Sequence, residues 1–261
     1  MDLEIQEKIK LFQRASMTNK NIIVTGAGSG IGLQITSDLI ADNYSVSACS
    51  RTLSPELELL LNKNINKNNI SFHEFDLSSK SSIKNMILNI FKNKDLIHHG
   101  LVNCAGVAHG SLFSMTPIQD IEEVFKLNYF NQLYLTQLVV KKMLRNKSGS
   151  IVNIASTAGI FGDEGTIAYG GSKASLIHST KVLSSEFGKF LIRVNAISPG
   201  IVETKMSSKM DDKSVNKLNA RKSIPGIIQP TDISALVGFL LSDDSKNISG
   251  QNFRVDQGMF A

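Results

Sequence analysis

Tryptophan is absent from this chain of 261 residues, cysteine occurs twice and proline five times. So few cysteines exclude a disulfide-stapled scaffold. Both, Cys49 and Cys104, lie in strand-like apolar runs, which reads as buried free thiols in a reducing, cytoplasmic setting. No apolar stretch reaches 18 residues, so no membrane-spanning helix is expected. The first residues, Met1-Asp2-Leu3-Glu4-Ile5, begin with acids and lack the apolar centre of a signal peptide. The five histidines (His73, His98, His99, His109, His178) show no paired-ligand spacing, and no metal is expected from them. The net charge of +5 comes from lysines scattered without interleaved aromatics. That pattern argues against a nucleic-acid surface and for a mild attraction to phosphates.

What is present is ordinary globular composition, 42% hydrophobic and 20% charged, with length for a sizeable core. Strand and helix patterns alternate along the chain. Strands are expected at 21–25, 44–50, 70–74, 101–103, 150–154, 192–197 and 252–255. Helices are expected at about 31–41, 79–92, 117–145, 166–186 and 231–241. The alternation predicts an α/β fold, a doubly wound parallel sheet of about seven strands with helices on both faces. Residues 17–261 read as one domain. Ile5, Ile9 and Phe12 share one helical face, so residues 1–16 are either a short accessory helix or precede a true start at Met17.

Thr25-Gly26-Ala27-Gly28-Ser29-Gly30-Ile31-Gly32 joins the first strand to the first helix. Glycines let a backbone turn tightly and approach a pyrophosphate, and the helix N-terminus adds free N–H groups and positive dipole. In this context the loop reads as a dinucleotide site. The second strand ends Ser50-Arg51, with no carboxylate at that end. A guanidinium there suits a 2′-phosphate, so NADP(H) is expected, with NAD(H) the alternative.

Tyr169 and Lys173 are four residues apart, on one face of a helix, and Ser156 lies thirteen residues upstream. An ammonium beside a phenol favours the phenolate, which predicts a tyrosine pKa lowered toward use as a general acid or base.

With these motifs in this order, the chain resembles the short-chain dehydrogenases/reductases from about residue 20 to the end, and the fold expected is their Rossmann-type domain. Thr25, Gly26, Gly30 and Gly32 match the family's glycine loop, with Gly28, Ser29 and Ile31 inside it. Asp76-Leu77 resembles its adenine contact, and Asn103-Cys104-Ala105-Gly106 its NNAG segment with cysteine in second place. Pro199-Gly200-Ile201 resembles the nicotinamide-packing segment, with Thr204 on the carboxamide. The resemblance implies a catalytic tetrad of Asn128, Ser156, Tyr169 and Lys173. Tyr169 would move the proton, Lys173 would lower its pKa and hold the nicotinamide ribose, Ser156 would orient the carbonyl, and Asn128 would hold a water.

Within the family the chain is similar to bacterial 3-oxoacyl-(acyl-carrier-protein) reductases, which implies a carbonyl substrate on a small molecule or an acyl carrier. A polar, lysine-rich segment at about 203–225 would be the substrate lid. Where those reductases dock a carrier with arginines, this chain has Lys147, Lys189 and Phe190. The alternatives are a sugar or polyol dehydrogenase and a non-catalytic dinucleotide sensor. A homotetramer packed through helices 117–145 and 166–186 is a further implication of the resemblance.

Overall fold

The computed structural model describes residues 19–64, 69–209 and 212–259. Residues 1–16, read as an accessory helix or as preceding a start at Met17, lie outside them. Seven strands form one parallel sheet: β1 (Lys20–Thr25), β2 (Ser45–Ser50), β3 (Ile70–Glu74), β4 (Ile97–Asn103), β5 (Gly149–Ile154), β6 (Ile192–Pro199) and β7 (Asn252–Val255). Their order is β3-β2-β1-β4-β5-β6-β7. The order reverses direction beside β1, where β1 pairs with both β2 and β4. Ligands in doubly wound sheets bind at such a switch point, beyond the C-terminal strand ends.

The connecting helices are α1 (Gly30–Ala41), α2 (Pro55–Lys63), α3 (Lys80–Ile90), α4 (Ile118–Phe125), α5 (Asn131–Asn146), α6 (Ile167–Phe187), α7 (Asp212–Asn219) and α8 (Pro230–Leu241). Two apolar layers cover the sheet. One gathers Ile22, Val24, Ile35, Leu39, Val237 and Leu240 under α1 and α8. The other gathers Ile23, Leu101, Leu135, Val139, Ile151 and Met143 under α3 and α5. Strands buried on both faces carry consecutive apolar residues, as Ile22-Ile23-Val24 does in β1.

Two elements depart from the sequence pattern. The helix expected over 117–145 is divided by a π turn at Lys126–Phe130 into α4 and α5. Helix α2 did not announce itself by periodicity, because only Leu57 on it is fully buried. Its start is conventional all the same: Ser54 caps the N-terminus, accepting from Leu57 N, and Pro55 follows it.

Candidate active site

The glycine loop is built for close approach. Gly26 and Gly30 have φ of 72° and 53°, which side-chain-bearing residues rarely adopt. A Cβ on Gly32 would meet the Gly26 carbonyl oxygen at 2.2 Å, and one on Gly26 would meet the Ala105 backbone at 3.0 Å. The loop is thereby pressed against the segment after β4. Thr25 Oγ1 ties the two together, accepting from Cys104 N at 3.0 Å and Ala105 N at 3.1 Å. Ser29 is the N-cap of α1, yet its side chain makes no capping bond. The first-turn N–H groups therefore face the loop, and a dinucleotide pyrophosphate fits them. Ile31 packs on the core beneath, and Thr204 sits over Gly30.

A pocket of about 370 Å³ opens beyond β2 and β3, lined by Arg51, Glu74, Phe75, Asp76 and Ser82. Ser50, next to Arg51, directs its hydroxyl to Thr52 O at 2.8 Å and lies beside Gly28. The Asp76 carboxylate accepts from Ser78 N and Ser78 Oγ, which holds it below the usual carboxylate range, with a smaller contribution from Arg51. Glu74 stands in register with Ser50 and brings a second carboxylate to Arg51's pocket. Only strand pairing brings it there, so the sequence held no signal for it. Leu77 is buried, and its carbonyl accepts from Asn131.

Asn103 turns inward. Its Nδ2 donates to Asn153 Oδ1 at 2.8 Å and Thr136 Oγ1 at 3.0 Å. The side chain thus ties β4 to β5 and α5. Cys104, the departure from NNAG, is enclosed near Lys173 and its thiol is pushed up to about 12 by burial.

At the ends of β5 and β6 the remaining residues meet. Helix α6 carries Tyr169 and, one turn on, Lys173, whose Nζ lies 5.9 Å from the Tyr169 ring centre. Lys173 Nζ donates to Ile154 O at 2.7 Å, at the end of β5. Ser156 follows that strand end. Its hydroxyl hydrogen-bonds Tyr169 and accepts from Ala158 N at 3.2 Å. Burial raises the Tyr169 phenol, while the Ser156 bond draws it back. Burial also lowers the Lys173 ammonium to about 8. The lowered tyrosine pKa expected from the Tyr-Lys spacing is therefore corrected: desolvation is the largest influence on both groups here.

Asn128 lies in the π turn and is wholly buried. Its side chain bonds Val107 on both sides, Oδ1 accepting from Val107 N and Nδ2 donating to Val107 O, each at 2.8 Å. A Cβ on Gly106 would come within 2.9 Å of Asn128 Oδ1 and 3.7 Å of Lys173 Nζ, so this loop, Asn128 and Lys173 are close neighbours. Pro199 ends β6, and Gly200 N donates to Val255 O. Ile201 and Thr204 follow, with Thr204 closing a short turn through Ser207 Oγ. Among the described residues no cluster of three His, Cys, Asp or Glu side chains has metal-ligand geometry.

The chain is similar to known proteins along most of its length. A family model described as short chain dehydrogenase matches residues 20–214. The 3-oxoacyl-(acyl-carrier-protein) reductase FabG of Aquifex aeolicus is 30% identical over the full length of both chains. The 7alpha-hydroxysteroid dehydrogenase of Bacteroides fragilis is 31% identical over 92% of this chain and 94% of its own. Among solved structures, ElxO with NADP bound superposes with a TM-score of 0.81 and 26% identity, covering 93% of this chain and 99% of that one.

Proposed function

The chain belongs to the short-chain dehydrogenase family, and from that premise we propose that it is an NADP(H)-dependent reductase of a 3-oxoacyl thioester. The observation that carries the proposal is the meeting of Ser156, Tyr169 and Lys173 at the strand ends beside the glycine loop. The nicotinamide cofactor supplies the hydride chemistry when bound. Gly26, Gly28, Ser29, Gly30, Ile31 and Gly32 would hold its pyrophosphate. Arg51 would take the 2′-phosphate, Asp76 and Leu77 the adenine, and Ala105, Gly106, Pro199, Gly200, Ile201 and Thr204 the nicotinamide end.

The protein's own groups handle the substrate oxygen. Ser156 Oγ orients and polarises the carbonyl. Tyr169, kept protonated by burial, gives its proton to the oxygen as negative charge develops there. Lys173 remains mainly an ammonium at pH 7 and stabilises the phenolate left behind. Asn128 is the positioning residue that fixes the 106–107 loop against Lys173. Both of its side-chain atoms are engaged there, so a water relay would leave from its main chain.

The thioester substrate is supported by the reductases of the same full length. Lys217 and Arg221 pair with Glu164 and Asp163, and Lys205 with Glu56, which leaves fewer lid cations to attract an acidic carrier protein. The steroid dehydrogenase similarity favours a second reading, reaction at a ring alcohol or ketone. We also propose a cytoplasmic homotetramer.

Oxidation of NADPH and NADH with acetoacetyl-CoA, beside keto-steroids and keto-sugars, separates these readings. NADPH-dependent turnover of the thioester supports the proposal. Turnover of another carbonyl alone would retain the chemistry and remove the thioester, and indifference to the 2′-phosphate would remove NADP(H).

A further inference from the structure

Between Ser156 and Tyr169 runs a loop carrying two adjacent carboxylates, Asp163 and Glu164. Asp163 is fixed to the catalytic helix: its carbonyl accepts from Thr166 N at 3.2 Å and Thr166 Oγ1 at 2.7 Å, and Thr166 is the N-cap of α6. The loop is gripped from its other side as well, where Arg254 stacks on Phe161 at 5.0 Å and its guanidinium bonds Asp256.

The chain excursion after β6 returns to this loop. Its neck is closed by a bridge between Val202 and Ile228, by Glu203 N donating to Ile228 O, and by Gln229 Nε2 donating to Glu203 Oε2 at 2.7 Å. Its returning limb is anchored at one end, where Ser223 N and Ile224 N both donate to Gln257 O at 2.9 Å. At the other end Arg221 Nη1 donates to Asp163 Oδ1 at 2.6 Å, and Lys217 Nζ lies 3.5 Å from Glu164 Oε2. The two pairs are unequal. Arg221 and Asp163 side chains are only 26% and 22% exposed, whereas Lys217 and Glu164 are 52% and 83% exposed. A short, half-enclosed guanidinium–carboxylate pair resists screening, and a surface lysine pair contributes little.

We propose that the Asp163–Arg221 ion pair is the latch that holds the limb 217–225 closed across the substrate site, so that both are positioning residues for substrate binding. The limb is held at Gln257 at one end and meets the catalytic loop through the enclosed Asp163 pair and the weaker, exposed Glu164 pair at the other. Because Asp163 is tied to Thr166, the N-cap of α6, the closed limb is registered against Tyr169 in the first turn of that helix. The inference rests on the carbonyl-reductase reading for its substrate readout, and hydrogen exchange tests it without that reading.

Hydrogen exchange is compared in the purified full chain, in Asp163→Asn, in Arg221→Gln and in the charge-swapped Asp163→Arg/Arg221→Asp. Either single variant should speed exchange of the amides at 218–222 and leave Ser223 and Ile224, held by Gln257, unchanged. The swap should restore protection. With acetoacetyl-CoA, each single variant should raise KM roughly three- to tenfold with kcat within about twofold, and the swap should recover most of the loss. NADPH affinity should not move. Unchanged exchange at 218–222 in the single variants, or a swap that restores nothing, would overturn the latch. If the wild-type protein ignores acetoacetyl-CoA, the thioester reading fails and the exchange contrast still decides.

Discussion

Lys173 is almost wholly enclosed, and burial lowers its ammonium from 10.5 to about 8. The consequence for stability has a definite sign. Below pH 8 the folded and unfolded chains are both protonated, and the full cost of burying the charge is present. Between about pH 8 and 10.5 the folded chain releases the proton while the unfolded chain keeps it, so this cost falls as pH rises. Lys173→Met should therefore be inactive yet more heat-stable than wild type near pH 7, on the order of a few kcal/mol, with the gain shrinking toward pH 9.5. Melting curves across that range check it; a gain independent of pH would contradict it. At the other end of the site, Arg51 shares its pocket with Glu74. Arg51→Ala should raise KM for NADPH about tenfold or more and barely alter that for NADH. Glu74→Gln should lower KM for NADPH roughly twofold by removing a screened repulsion. Equal effects on the two cofactors would show that this pocket does not read the phosphate.

At the scale of elements, the glycine loop predicts a graded response. A Cβ on Gly32 meets backbone, the Gly26 carbonyl, which cannot withdraw without reshaping the loop. A Cβ on Gly28 meets the Ser50 hydroxyl at 3.1 Å, which can rotate away. Gly32→Ala should weaken NADPH binding more than tenfold and lower the melting temperature, and Gly28→Ala should do much less. Titration by NADPH fluorescence measures both, and the lack of tryptophan leaves that signal uncrowded. The strands, α1 and the loop between them were legible because local apolar runs and glycine spacing are properties of contiguous sequence. Ser156, Tyr169 and Lys173 were legible for the same reason. The π turn was not: it carries neither glycine nor proline, and the bonds that Asn128 makes from it to Val107 are long-range. Glu74 and the Asp163–Arg221 pair were hidden likewise, since strand register and a contact 58 residues apart create them.

For the whole molecule, the exposed apolar residues on the α4–α6 side raise the question of assembly. Ile118, Phe130, Ile167 and Val182 are all 42% exposed or more on the two helical regions expected to pack against other copies. These exposed apolar side chains are the ones that the proposed assembly would cover. Light scattering should give about four times the 28.5 kDa chain mass; a monomer would reject the tetramer. The central claim, however, is that one tyrosine delivers the proton in a site that otherwise only binds and orients. The most direct test is Tyr169→Phe, followed by NADPH fluorescence for binding and by NADPH oxidation for turnover with whichever carbonyl the wild-type protein reduces. The account predicts NADPH affinity within about twofold of wild type and turnover reduced by roughly a thousandfold or more. Turnover surviving near the wild-type rate would contradict it, because the proton assigned to Tyr169 would then be coming from another source.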